Sequence, residues 1–117
     1  MNATDLIKNL YSSVDSKDVE HLSTFLADDV RFRIGNFDPV IGKTAVVEAN
    51  QTFFASISSM AHQIDSIWSK GNDVICHGSV EYIRLDGSTH SAVFATILHV
   101  SNNKIKDYLV YADLSQL

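Results

Sequence analysis

The stretch VICHGSVEYIRLDG, residues 74–87, has the alternating pattern of a β-strand and ends on Asp86-Gly87, a strong hairpin signal. Because successive side chains of a strand point to opposite faces, His77, Ser79 and Glu81 share one face. An imidazole, a hydroxyl and a carboxylate in one row either face water or line a cavity. The functional prediction depends on which of these orientations the strand takes.

The segments around this stretch divide the chain into a helical half and a strand half. Apolar residues recur at helical spacing in three segments of the first half, beginning at Leu6, Val19 and Val46, and a brief strand covers 30–34. In the second half the period changes to two, and turn signals separate four predicted strands, at 62–70, 73–85, 88–101 and 104–112. Helices followed by an antiparallel meander predict an α+β fold.

The turn at Asp86-Gly87 sets the register of the central hairpin. A two-residue turn gives one shared face, whose cross-strand pairs are His77 with Thr96, Ser79 with Phe94, and Glu81 with Ala92. If this face were exposed, Phe94 and Leu98 would lie in water. We therefore predict that it lines a mostly apolar pocket with a few polar groups.

The last hairpin leaves two registers open. A two-residue turn at Asn102-Asn103 places Asp107 and Leu109 on the polar face, whereas a three-residue loop places Tyr108 and Val110 there. We prefer the three-residue loop, because it aligns polar side chains across three strands and leaves small residues beside the carboxylate.

Length and composition limit the classes of protein. The 117 residues suffice for a single domain, 1–117, and 45% of them are hydrophobic, which is typical of a globular chain. A net charge of −5 with scattered Lys and Arg predicts no nucleic-acid partner. The five histidines lack the tight spacings of a metal site, so we expect neither a metal nor another cofactor.

The sequence also indicates a cellular location. It shows neither the pattern of a signal peptide nor an apolar run of bilayer length. A single cysteine, Cys76, is compatible with a reducing compartment. We therefore predict a cytoplasmic protein without a membrane partner.

The opposite face of the two central strands is also apolar. In the predicted register it carries Val80, Tyr82, Val93, Ala95 and Ile97. An apolar outer face of that size favours a homodimer joined through the sheets.

The order of the segments resembles a known family. Helices come first, followed by ADDVRF (27–32), IGKTAVVEANQTFF (41–54), EYIRLDGSTHSAVFATILHV (81–100) and NNKIKDYLVYADL (102–114). Together they resemble the SnoaL-like branch of the nuclear transport factor 2-like superfamily over essentially the whole chain. The resemblance implies a cone-shaped, curved antiparallel sheet packed on three N-terminal helices around one pocket, usually in a dimer. It also implies a range of activities: steroid isomerases, epoxide hydrolases, polyketide cyclases, dehydratases and non-catalytic binders.

Two chemistries of that superfamily are not expected here. The positions that match the tyrosine, the base carboxylate and the protonated aspartic acid of ketosteroid isomerases are Leu10, Ile34 and Thr96. The positions that match the arginine and the two aspartates of limonene epoxide hydrolases are Ser79, Glu81 and Val110, so only one of the two carboxylates remains. The chain therefore resembles neither a standard ketosteroid isomerase nor a standard limonene epoxide hydrolase in its site.

The predicted function is binding of a small, largely apolar metabolite, with a proton transfer such as isomerisation, cyclisation or dehydration. Glu81 is the candidate base and His77 its acid or base partner, while Tyr108 or Thr96 donates to a developing oxyanion. Further candidate ligand-binding residues are Ser79, Phe94, Val110, Asn50, Phe54, Trp68 and Ile34. The alternative is a non-catalytic ligand-binding or dimeric interaction module, in which the polar side chains only satisfy one another's hydrogen bonds.

Overall fold

The computed structural model describes residues 2–117, and its elements confirm the α+β class. The helices are α1 (Ala3–Asp15), α2 (Val19–Thr24) and α3 (Lys43–Ala55). The strands are β1 (Leu26–Ile34), β2 (Val40–Ile41), β3 (Ile57–Lys70), β4 (Asp73–Arg84), β5 (Thr89–Ser101) and β6 (Lys104–Ala112).

Local sequence explains where the first two helices begin. Asn2 precedes α1, and its side chain accepts a hydrogen bond from the Asp5 backbone N–H at 3.1 Å. Asp18 caps α2 in the same way, by accepting from the His21 N–H at 3.0 Å. Such side-chain caps satisfy backbone donors that have no partner inside the helix.

The strands form one curved, open sheet in the order β2-β1-β6-β5-β4-β3. Neighbouring strands pair antiparallel except β1 and β6, which run parallel. The predicted meander is present in β3 to β6, and the parallel pair makes the sheet mixed. α1 packs on β3, and α3 contacts β1, β2 and β3, so the core lies between these helices and one face of the sheet.

The predicted orientation of β4 is wrong. Its buried side chains are the even-numbered ones, including Cys76, Val80 and Tyr82, whereas His77 and Glu81 are exposed. The cause is the turn, which is a three-residue loop at 85–87: the Arg84 N–H donates to the Ser88 carbonyl at 2.7 Å. Adding one residue to the loop moves every side chain of β4 to the opposite face relative to those of β5.

For the last hairpin, the predicted turn is wrong, whereas the predicted inward face of Tyr108 and Val110 is correct. Asn102 and Asn103 form the two-residue turn, with φ of 52° and 62°, and not the preferred three-residue loop. An irregularity then shifts the register between His99 and Val100. The shift carries Tyr108 and Val110 back to the inner face, where the prediction had placed them.

Candidate functional site

A cavity of about 670 Å³ lies between the helices and the inner face of the sheet. Its size falls in the range of small-molecule sites, roughly 300–1,000 Å³. Most of its walls are apolar, and five of the predicted ligand-binding residues line it: Ile34, Asn50, Phe54, Tyr108 and Val110. The cavity lies on the face of the sheet that the helices cover, and its polar groups differ from the predicted row.

The two predicted catalytic residues do not border this cavity. His77 and Glu81 lie on the outer face of β4, and Ser79 shares that face, half-buried. Their predicted position beside the ligand is wrong, because the hairpin loop is one residue longer than the two-residue turn that the prediction assumed.

Trp68 is a second misplaced residue. It is exposed, and its ring stacks on His77 of the outer face, with ring centroids 5.4 Å apart. The register of β3 shifts between Ile64 and Ser66, and this β-bulge reverses the face of the residues that follow. A strict alternation from His62 would have kept Trp68 inside.

Thr96 and Phe94 point inward as predicted, but they support the cavity wall without lining it. Thr96 is fully buried, and its hydroxyl is hydrogen-bonded to the Tyr11 hydroxyl. Phe94 packs against the rings of Tyr11 and His62, with centroid distances of 5.5 and 5.1 Å. The predicted alignment of Thr96 with Tyr108 is wrong, since Thr96 pairs with Val110.

The principal polar group of the cavity is a pair that sequence reasoning missed. His62 lines the cavity, and its Nδ1 lies 2.5 Å from Oδ1 of Asp15, the last residue of α1. Oδ2 of Asp15 accepts a second hydrogen bond, from the His62 backbone N–H at 2.9 Å. Because both carboxylate oxygens hold the same residue, the imidazole is fixed in position, and Nε2 is the ring nitrogen available to a ligand.

Three buried tyrosines share the cavity with this pair. Tyr11, Tyr82 and Tyr108 all line the cavity, and the Tyr11 ring centroid is 4.5 Å from that of His62. Burial raises the pKa of Tyr82 to about 12, and it also raises the pKa values of Tyr11 and Tyr108. The three phenols therefore stay protonated at neutral pH and can donate hydrogen bonds.

One sequence signal pointed to this cluster. Tyr11 and Asp15 are four residues apart on α1, so they share one face of the helix. That face packs against β3, which supplies His62. The contact joins residues that are 47 positions apart in the chain, and no local sequence motif predicts such a pairing.

Asn50 contributes a buried amide to the cavity wall. Its Nδ2 donates to the Val46 carbonyl one turn earlier, at 2.9 Å. This bond fixes the amide plane, and the amide oxygen remains as an acceptor.

The described part of the chain lacks two further features. Within residues 2–117, no helix combines the length and the apolar character needed to cross a bilayer. In the same range, no three His, Cys, Asp or Glu side chains are grouped so that they could hold a metal ion.

The fold agrees with a comparison against protein families. The SnoaL-like domain matches residues 7–108, so this chain belongs to the SnoaL-like family. The resemblance seen in the order of the sequence segments is thereby confirmed. A search among curated proteins finds no match.

Solved structures with the same fold cover nearly the whole chain. An NTF2-like protein of unknown function from Burkholderia pseudomallei has a TM-score of 0.89 at 15% identity, over 99% of this chain and 94% of that chain. An LEH-like epoxide hydrolase of M. tuberculosis has a TM-score of 0.83 at 14% identity, with 97% and 84% covered. TerC, co-crystallised with polyporic acid, has a TM-score of 0.83 at 16% identity, with 97% and 93% covered. At these identities the likeness shows the fold alone.

Proposed function

We propose that this chain binds a small, largely apolar carbonyl compound in the cavity and catalyses a proton transfer on it, with His62 and Asp15 as the acid–base pair. The observation that carries the proposal is the placement of His62 in the wall of a mostly apolar cavity while Asp15 holds its Nδ1. The reaction class is isomerisation, cyclisation or dehydration without a cofactor.

The pairing assigns the role of each ring nitrogen. An ionised carboxylate only accepts hydrogen bonds, so Nδ1 of a neutral His62 carries the proton and Nε2 carries the lone pair. A lone pair held at the edge of an apolar cavity is suited to remove a proton from carbon and to return it elsewhere on the ligand. Asp15 stabilises the imidazolium that forms between these two steps.

The tyrosines supply the complementary electrophilic groups. Removing a proton next to a carbonyl places negative charge on the carbonyl oxygen, and this charge needs a hydrogen-bond donor. Tyr82 and Tyr108 line the same cavity, and burial keeps their hydroxyls protonated by raising their pKa values. In this proposal the donors are the phenols, and Thr96 positions Tyr11 through their hydrogen bond.

The activity of His62 as a base can be measured with a probe molecule before the natural ligand is known. The probe is 5-nitrobenzisoxazole: a base removes its ring C–H proton, the N–O bond breaks, and a coloured nitrile phenolate forms. We expect the protein to accelerate this elimination and His62→Gln to lower the rate on the order of 100-fold. Asp15→Asn is expected to cause a loss of similar size, since an amide N–H facing Nδ1 favours the tautomer in which Nε2 is protonated.

The chain offers a matched control for these variants. His99 forms a second pair with an aspartate, 2.7 Å from Asp73, but it lies on the surface and outside the cavity. His99→Gln is expected to leave the rate of elimination unchanged. If His62→Gln retained the wild-type rate, or if both histidine variants lost the same activity, His62 would not be the base. Binding of the probe without elimination would favour the non-catalytic alternative.

We also propose that two copies associate through the outer face of the sheet. Trp68, Val93 and Tyr111 are exposed on this face, with Val93 79% exposed on a central strand. Val80 and Tyr82, predicted to belong to it, point inward instead. An exposed apolar sheet face is typical of an isologous dimer interface.

Val93→Asp is expected to convert such a dimer to a monomer, because it places one uncompensated carboxylate from each copy in the apolar interface. Light scattering at several protein concentrations measures the mass directly. Ile41→Asp is the matched control, since Ile41 is 61% exposed on the short strand β2 at the sheet edge. A wild-type protein that is monomeric at all concentrations would contradict the proposed association.

A further inference from the structure

A second hollow adjoins the central cavity. This hollow, which we call the mouth groove, has a volume of about 470 Å³. It shares four wall residues with the cavity: Ile34, Phe37, Phe53 and Ser56. The two spaces therefore meet at the ends of β1 and α3.

The mouth groove has unusually exposed apolar walls. Phe37 is 68% exposed and Leu85 is 70% exposed, and the groove also borders Leu114 and Leu117 of the C-terminal segment. Single exposed apolar side chains are common on protein surfaces, but several around one opening form a patch that typically marks a ligand groove. A ligand that filled the groove would remove these side chains from water.

The C-terminal wall of the groove is fixed in place. Arg84 donates from Nη2 to the Gln116 carbonyl at 2.6 Å, and from Nη1 to Ser88 Oγ and to the Thr89 carbonyl at 3.1 and 2.9 Å. The Leu117 N–H donates to the Leu114 carbonyl at 3.0 Å. The guanidinium thus ties the C-terminal segment to the central hairpin.

The polar groups are unevenly divided between the two spaces. His62 and the buried tyrosines line only the cavity. The charged groups of the mouth groove, Arg84 and Asp86, already make hydrogen bonds within the protein; Asp86 accepts from Ser88 N and Oγ at 2.9 and 2.6 Å. The groove surface is mostly apolar and is therefore complementary to a hydrocarbon.

We propose that the ligand is elongated, with a carbonyl end in the cavity and an unbranched alkyl arm in the mouth groove. The carbonyl end rests on the proposed function, whereas the alkyl arm rests on the groove alone. An alkyl chain gains affinity with every methylene that leaves water, by a factor of about four at roughly 0.8 kcal/mol each.

The test uses calorimetry to measure the binding of a series of methyl ketones, from 2-hexanone to 2-dodecanone. We expect the dissociation constant of the wild-type protein to fall by about fourfold per methylene across the series. Leu85→Ser and Leu114→Ser are expected to leave the shortest ketone unchanged and to weaken the longest about tenfold. Ile41→Ser, which alters an equally exposed side chain away from the groove, is expected to match the wild type.

The possible outcomes separate this inference from the proposed function. Binding of the short ketones with no gain for the longer ones would overturn the alkyl arm and leave the cavity site standing. Equal weakening of every ketone by Leu85→Ser would also overturn it, since the variant would then act on the whole protein. Loss of proton transfer in His62→Gln with the chain-length series intact would support both proposals, and no ketone binding at all would overturn both.

Discussion

Gly78→Ala is expected to lower the free energy of unfolding by about 3 kcal/mol or more, at the strong end of what overpacking costs. A methyl group at Gly78 would lie 1.8 Å from the Gln63 carbonyl oxygen and 3.1 Å from the Ile64 Cα. These are backbone atoms of the neighbouring strand β3, next to its β-bulge, so no side-chain rotation relieves the overlap. The strands would have to separate, and the hydrogen bonds between them would weaken.

A second glycine distinguishes this overlap from the loss of backbone freedom. Gly71 lies in the turn between β3 and β4 with φ of 59°, and a methyl group there meets nothing within 4 Å. Gly71→Ala is expected to cost about 1 kcal/mol, for the left-handed conformation alone. Chemical denaturation of both variants measures the difference. Equal destabilisation would mean that β3 moves away from β4 at little cost.

Gly78 belongs to the stretch whose orientation the sequence did not determine. Both turns that Asp86-Gly87 permits are common: a two-residue turn, and a three-residue loop whose last residue adopts positive φ. The structure contains the second, with φ of 88° at Gly87. Because both faces of β4 and β5 carry apolar side chains, the hydrophobic pattern could not choose between the registers. Gly78 itself was a signal in the sequence, because a glycine within a strand often marks the close approach of another backbone.

The elements themselves were more predictable than their orientation. Helical periodicity identified α1 and α3, and alternation with turn signals identified β4, β5 and β6, because these patterns depend on near neighbours. The His62–Asp15 pair joins β3 to the end of α1, and it forms only when the sheet curves over the helix. The prediction therefore misplaced its two candidate catalytic residues, His77 and Glu81, while the class of fold and the family were confirmed.

The cavity beneath this curved sheet contains buried, protonated phenols. Because burial favours their protonated form, the stability of the whole fold depends on pH. Tyr82 has a pKa of about 12 in the folded chain because it is buried, with the Asp15 carboxylate adding to the shift, whereas an unfolded tyrosine has a pKa of about 10. The pKa values of Tyr11 and Tyr108 are raised by burial as well, and that of Cys76 is raised to about 11.

We expect the protein to unfold cooperatively as the pH rises above 10 toward 12. A raised pKa means that folding favours the protonated phenol, so the stabilisation is complete below the unfolded pKa and is lost as the pH rises toward the folded pKa. Tyr82 alone loses about 2 kcal/mol by pH 12, and Tyr11 and Tyr108 add to this loss. A typical domain has a total stability of about 5–15 kcal/mol, so the loss from Tyr82 is a substantial share of it, and the other two tyrosines act in the same direction.

Tyrosinate absorbance and far-ultraviolet circular dichroism, recorded on the same samples, check this expectation. Since the buried phenols of the folded chain resist ionisation until well above pH 10, the rise in tyrosinate absorbance from Tyr11, Tyr82 and Tyr108 is expected to coincide with the loss of secondary structure. Tyr82→Phe is expected to move the transition to higher pH, because it removes one of the groups that drive it. Full ionisation of the tyrosines while the circular dichroism stays unchanged would show that hydroxide reaches the cavity in the folded state, and the phenols would then lack the desolvation that their role as donors requires.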